Sequence, residues 1–149
     1  MARPLEFRLR GAGGEPVDLW RTLNSHGFVD LPPMRLDEKA RALEVTLPLD
    51  GAGPRTVRIS EGRPGHGAVT VHGPSPGPRV SDGLLSAVRN VLRLDADMAP
   101  FYVLAEGDPD LAWAVTGAGR MVRSPTVFED VVKTICTTNC AWSATRRMV

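Results

Sequence analysis

Apolar and polar positions divide the chain into an early stretch of period two and a later stretch of helical period. Over residues 5–10, Leu5, Phe7 and Leu9 alternate with Glu6, Arg8 and Arg10, the signature of a half-buried strand. A turn-rich break follows at residues 11–16. Its Gly-Ala-Gly-Gly run is not followed by Gly-Lys-Ser/Thr and is therefore no phosphate loop. Residues 18–26 predict a short helix, with Leu19, Trp20 and Leu23 at helical spacing and Gly27 as its stop. Between residues 34 and 71 the alternation returns. Leu43, Val45, Leu47 and Leu49 form one run, Val57 and Ile59 a second, Val69 and Val71 a third. Gly/Pro clusters at 50–54 and 61–65 separate these runs, which argues for short antiparallel strands joined by tight turns. The proline-rich stretch 73–78 is a surface loop or hinge, because proline is excluded from a central strand.

After residue 80 the period changes. Ser81 or Asp82 caps a predicted helix whose apolar face is Leu84, Leu85, Val88, Val91 and Leu92. Further helical signal lies at 97–105 and 109–115. Ser124 and Pro125 then read as an N-cap hydroxyl and a proline at the first helical position. Val127, Phe128, Val131, Val132, Ile135 and Cys136 give the stripe of a buried helix face. Thr137, Thr138 and Asn139 break it, and a second helical pattern runs over 141–149. That last pattern ends at Val149 without a capping signal, so the chain is expected to be the N-terminal portion of a longer protein. The fold class predicted is α+β: an antiparallel sheet with flanking helices over 1–93, then the first helices of a helical domain over 94–149.

The chain has 149 residues with 18 basic and 17 acidic side chains, a net charge of +1. That balance does not by itself mark a nucleic-acid binder, which carries a basic excess on one face. The charge is uneven, however. Over 120–149, five basic residues (Arg120, Arg123, Lys133, Arg146, Arg147) face only Glu129 and Asp130. The two cysteines, Cys136 and Cys140, are no disulfide framework and have no second pair at zinc-like spacing. Cys136 reads as a core residue, as free cysteine commonly is. Trp20, Trp113 and Trp142 read as core anchors. His26, His66 and His72 are scattered, and no Ser-His-Asp or Cys-His arrangement stands out. No metal site is predicted. There is no signal-peptide pattern and no apolar run of roughly 18 residues, so a soluble intracellular protein is expected.

Residues 95–149 carry a resemblance. Leu94-Asp95, Gly119-Arg120, Ser124-Pro125, Phe128-Glu129 and the polar tip 137–140 resemble the helix–hairpin–helix DNA glycosylase superfamily, of the 8-oxoguanine and 3-methyladenine DNA glycosylase II types. Those enzymes carry an N-terminal antiparallel sheet similar to one half of the TATA-binding protein, and residues 5–93 follow that element order. His26 and Gly27 stand where the oxoguanine branch has Gly-Gln, and the resemblance makes His26, Gly27 and Trp142 candidates for a base pocket. It makes Asn139, with Cys140 beside it, the wedge that enters the duplex when a base is rotated out. On the residues alone, Asn139 reads as the cap of the helix at 141–149, a role asparagine fills well. Ala144 stands where the oxoguanine branch has an arginine that reads the opposite cytosine. Arg146 and Arg147 would touch phosphates, or else line a solvated helix face.

The resemblance implies excision of a damaged purine, oxidised or alkylated, from double-stranded DNA by a monomer in the bacterial cytoplasm, at the nucleoid, with no membrane partner. The family's hairpin and catalytic Asp, and in lyase-type members a Lys, would lie beyond Val149, so no catalytic residue is expected in this chain and the 149 residues alone are expected to be inactive. No cofactor is expected in this chain. An iron–sulfur cluster, held by some members, would likewise fall in the later region. The rival reading is a non-catalytic DNA-binding or interaction module of the same ancestry.

Overall fold

The computed structural model describes residues 3–149. Five strands form one fully antiparallel sheet: β1 (Leu5–Arg8), β2 (Arg35–Asp37), β3 (Ala42–Leu49), β4 (Ala52–Glu61) and β5 (His66–Val71), in the spatial order β1-β5-β4-β3-β2. The three central strands form a meander, and β1 reaches across to close the far edge. Register follows from the alternation. Leu5 faces Val69, Val69 faces Ile59, Ile59 faces Leu43, and Leu43 faces Leu36. The apolar half of every strand therefore lies on one face, since a slip of one residue would turn it to solvent. Gly67 is required on that face: a Cβ there would sit 2.2 Å from the Phe7 ring.

Two helices cover the apolar face, α1 (Leu19–Leu23) and α2 (Pro78–Val91). Leu19 and Leu23 from α1, and Leu84, Val88 and Val91 from α2, join Val45, Leu47, Val57 and Ile59 in one buried cluster. The opposite face is polar. Glu44 lies between Arg35 and Arg58 in the ladder, Arg35 and Arg58 pair with Glu44 and Asp37 respectively, and Thr46 bonds Thr56.

Beyond α2 the chain is helical: α3 (Ala99–Glu106), a 3-10 turn at Ala112–Thr116, α4 (Val127–Thr137) and α5 (Trp142–Met148). The fold is α+β, as the period change predicts. Among the described residues no helix is long and apolar enough to cross a membrane.

Several local expectations are corrected. α2 begins at Pro78 with Gly77 as its cap, ahead of Ser81 and Asp82. α1 ends at Leu23 with Asn24 as its cap, and Gly27 opens a 3-10 turn, Gly27–Asp30, instead of stopping a helix. Thr126, not Ser124, caps α4: its hydroxyl accepts the Glu129 N–H at 3.2 Å. The apolar stripe of α4 is not buried. Phe128 is 76% and Ile135 62% exposed, and the residue the helix buries is Lys133. Of the tryptophans, Trp20 is half-buried and packs against the core cluster, whereas Trp113 and Trp142 are exposed and anchor no core. Cys136 is likewise only half-buried.

A buried ion pair ties the N-terminal loop to the helical region. Glu15 and Arg120 are both nearly inaccessible. Arg120 donates to Glu15, to the Arg93 carbonyl and, at 3.0 Å, to the Ala96 carbonyl. The same Glu15 oxygen accepts the Met98 N–H at 2.9 Å. The Arg of the Gly-Arg turn is therefore structural, and its planar fork suits several acceptors at once.

Candidate nucleic-acid interface

The polar tip between α4 and α5 is built by the threonines that break the apolar stripe. Thr137 and Thr138 turn their hydroxyls back onto the carbonyls of Thr134 and Ile135, each at 2.6 Å. Those bonds occupy the last carbonyls of α4, which a helix end leaves without partners. Asn139 then reverses the chain with φ of 54°, a left-handed conformation that asparagine tolerates better than most residues. Thr145, fully buried, clamps the start of α5 to the end of α4 by donating to the Cys136 carbonyl at 2.9 Å.

Asn139 is not the helix cap. Ala141 holds that position, and no side chain caps α5. The Asn139 side chain is exposed and has no hydrogen-bond partner among the described residues. A donor and an acceptor thus stand at the apex of a clamped turn. Cys140 is exposed beside it, as a free thiol.

Next to the tip lies an open cleft of about 690 Å³. His26, Gly27 and Trp142, far apart in sequence, meet on its wall, together with Phe28, Arg93, Met121 and Asp130. Gly27 is needed for the meeting. A Cβ on it would approach the Trp142 ring to 2.8 Å. Arg146 reinforces the contact by pairing with Asp30 at 3.2 Å, so α5 is docked on the 3-10 turn by a ring against a glycine and by an ion pair.

Both nitrogens of His26 are already used. Nε2 lies 2.8 Å from the Val122 carbonyl, and Nδ1 accepts the Phe28 N–H at 3.1 Å. Because Nδ1 accepts, Nε2 is the nitrogen that donates to the Val122 carbonyl. His26 therefore offers the cleft its ring and not a free nitrogen. Asp130 is the sole carboxylate among the lining residues, and its Oδ1 accepts the Ser124 N–H at 3.0 Å.

The positive charge counted over 120–149 does not gather at the surface. Arg120 and Lys133 are buried, Arg123 is held by Asn90 and Asp95, and Arg146 by Asp30. Arg147 is exposed on α5 with no ion pair among the described residues. Lys133 donates to the Ser124 hydroxyl at 3.0 Å and lies 4.0 Å from Glu129. Burial holds its pKa below the ordinary lysine value, while Glu129 and Asp130 oppose that shift.

Sequence reading missed Arg93, Met121 and Asp130 as lining residues; no motif marks them, because only the packing of α2, the 118–123 segment and α4 brings them together. Among the described residues no group of three or more His, Cys, Asp or Glu side chains is placed to hold a metal ion.

No protein-family model matches the sequence, and no curated protein matches it. Among solved structures the fold is similar to that of the 3-methyladenine DNA-glycosylase from Archaeoglobus fulgidus, with a TM-score of 0.69 at 18% identity. The alignment covers 95% of this chain and 47% of that protein, so the chain spans about half its length. The likeness establishes a DNA glycosylase-like fold.

Proposed function

We propose that this chain is the lesion-engaging part of a DNA base-excision glycosylase that flips and excises a damaged purine, oxidised or alkylated, from duplex DNA. The observation that carries the reading is the tip. An exposed, hydrogen-bond-free Asn139 sits at the apex of a clamped helix–turn–helix, three residues from Trp142 on the wall of a cleft with room for a nucleotide. Rotating a nucleotide out of the stack costs a few kcal/mol, and the group that fills the gap and bonds the widowed base offsets part of it. Asn139 is that group, with Cys140 at its side. His26, Gly27 and Trp142 receive the extruded nucleotide against ring surfaces and backbone. Arg147 contacts phosphate, and Arg146 does so at the expense of its pair with Asp30. The glycosylase-like fold of the structural neighbour supports this reading, as does the resemblance of residues 95–149.

The test is binding of the 149-residue chain to a duplex containing an abasic-site analogue, against the same duplex undamaged. The abasic duplex is expected to bind more tightly, and Asn139→Ala to remove roughly tenfold of that preference, the size of one hydrogen-bonded contact to a desolvated partner. Equal affinity for the two duplexes, or an Asn139→Ala preference equal to the wild type's, would overturn the reading. A non-catalytic module of the same ancestry is the reading left if lesion preference holds and no longer form of the protein releases a base.

A further inference from the structure

Among the described residues, three non-glycine residues have a left-handed backbone: Arg41, Arg93 and Asn139. Arg41 has an evident use for its side chain, which stacks on Trp20 at 5.1 Å and pairs with Glu61 at 3.1 Å. Asn139 is the tip. Arg93 has no such internal use, and that is the anomaly.

Arg93 follows the last turn of α2 and its cap, Leu92. The Leu94 N–H bonds the Arg89 carbonyl at 2.9 Å, and the Arg93 N–H bonds the Asn90 carbonyl at 3.1 Å. This pair of bonds is the Schellman ending of a helix, in which the left-handed residue is usually glycine, because a Cβ there crowds the backbone. An arginine at this place destabilises the fold relative to glycine.

The arginine is not required to neutralise the carbonyl end of α2. Arg123 donates to the Asn90 carbonyl through its side chain at 2.8 Å and to the Val91 carbonyl through its backbone at 3.0 Å. Arg120 donates to the Arg93 carbonyl itself. These two cations already serve the helix end, and both have counter-charges in Asp95 and Glu15. The Arg93 guanidinium has no hydrogen bond or ion pair among the described residues. It is exposed and lies on the wall of the cleft that holds His26, Gly27 and Trp142. Asp130, the one carboxylate on that wall, is not within ion-pair distance of it. Strain kept where the side chain has no internal partner points to an external one.

We infer that Arg93 is an anion-binding residue of the cleft, taking a phosphodiester of the nucleic-acid strand whose nucleotide enters it. The inference rests on the DNA reading above. The guanidinium fork suits phosphate oxygens, and lysine would serve as a point charge. The buried Glu15–Arg120 pair, by holding the Arg93 carbonyl, sets the backbone from which this side chain projects.

The test separates strain from binding. In the full 149-residue chain, Arg93→Gly is expected to raise Tm by about 2–4 °C. The same variant is expected to bind the abasic-analogue duplex roughly tenfold more weakly, and its slope of log affinity against log salt concentration is expected to fall by about 0.9, the share of one phosphate. Arg93→Lys keeps the charge and the strain, and is expected to stay within about threefold of wild-type affinity. If the wild type binds the duplex and Arg93→Gly matches it in affinity and salt slope, this inference fails while the DNA reading stands. If Arg93→Gly lowers Tm, or Arg93→Lys loses as much affinity as Arg93→Gly, the role is structural and the inference also fails. If the wild type shows no preference for the abasic duplex, the DNA reading fails first and Arg93 falls with it.

Discussion

Lys133 shows how far a residue can depart from what its neighbours in sequence suggest. It stands in an amphipathic helix whose apolar positions face outward while its own ammonium is buried against Ser124. Ser124 consequently spends its hydroxyl on Lys133, and Thr126 caps the helix in its place. Burial disfavours the charged amine and Glu129 compensates in part. The folded-state pKa lies below that of the unfolded chain, so between the two values the unfolded state binds more protons. Stability must therefore rise with pH through that window, below the ordinary lysine value near 10.5. Lys133→Met, which keeps the length of the side chain and removes the charge, is expected to abolish that rise. It is expected to leave stability at neutral pH unchanged or up to ~2 kcal/mol higher, as replacing buried ionic groups by apolar ones often does. Denaturant unfolding at neutral and alkaline pH checks both. A loss of several kcal/mol at neutral pH would show that the bond to Ser124 outweighs the desolvation.

At the scale of elements, alternation proved a sufficient guide to the sheet. Leu43, Val45, Val57, Ile59, Val69 and Val71 lie where period two puts them, because one face is buried and register is then forced; the ladder shifts register only between Leu47 and Leu49, beside the β3–β4 turn. Helical period was a weaker guide. It identifies which face of α4 is apolar but not whether anything covers that face, and Val127, Phe128, Val131 and Ile135 are open to solvent. Trp113 and Trp142 failed as anchors for the same reason, while Trp20 packs against the core: aromatic bulk predicts contact area, not the presence of a neighbour. The tip was legible from Thr137, Thr138 and Asn139, since hydroxyl and amide residues end helices by local bonding. Of the cleft's lining, the resemblance named His26, Gly27 and Trp142; Arg93, Met121 and Asp130 carry no sequence signal, because they become neighbours only through tertiary packing. An uncovered stripe of this size has a consequence in solution. The 149-residue chain is expected to bind an apolar dye such as ANS at α4. Phe128→Ser with Ile135→Ser should lower that dye fluorescence severalfold while changing stability by no more than about 1 kcal/mol, as expected of exposed positions. Unchanged dye binding, or a large loss of stability, would show that α4 is covered in solution.

For the whole molecule, the question is whether the residues gathered in the fold suffice for chemistry. Hydrolysis of a glycosidic bond requires a carboxylate free to stabilise a cationic sugar or to activate water. Asp130 is the sole carboxylate lining the cleft, and its Oδ1 is engaged by the Ser124 N–H in the first turn of α4. Both nitrogens of His26 are committed to backbone partners, so it supplies no general base. Lys133 is sealed behind Ser124 and does not reach the cleft as a nucleophile. The chain also spans only 47% of the solved glycosylase whose fold it shares. Recognition and catalysis are therefore expected to separate in this chain. It should bind an abasic-analogue duplex in preference to an undamaged one, yet release no base in single-turnover reactions on duplexes containing 8-oxoguanine or an alkylated purine. Release of either base by the purified 149 residues would overturn the separation. Asp130→Asn would then be decisive: loss of release would identify Asp130 as the carboxylate, freed from Ser124 when DNA binds, whereas retained release would place the chemistry outside the cleft altogether.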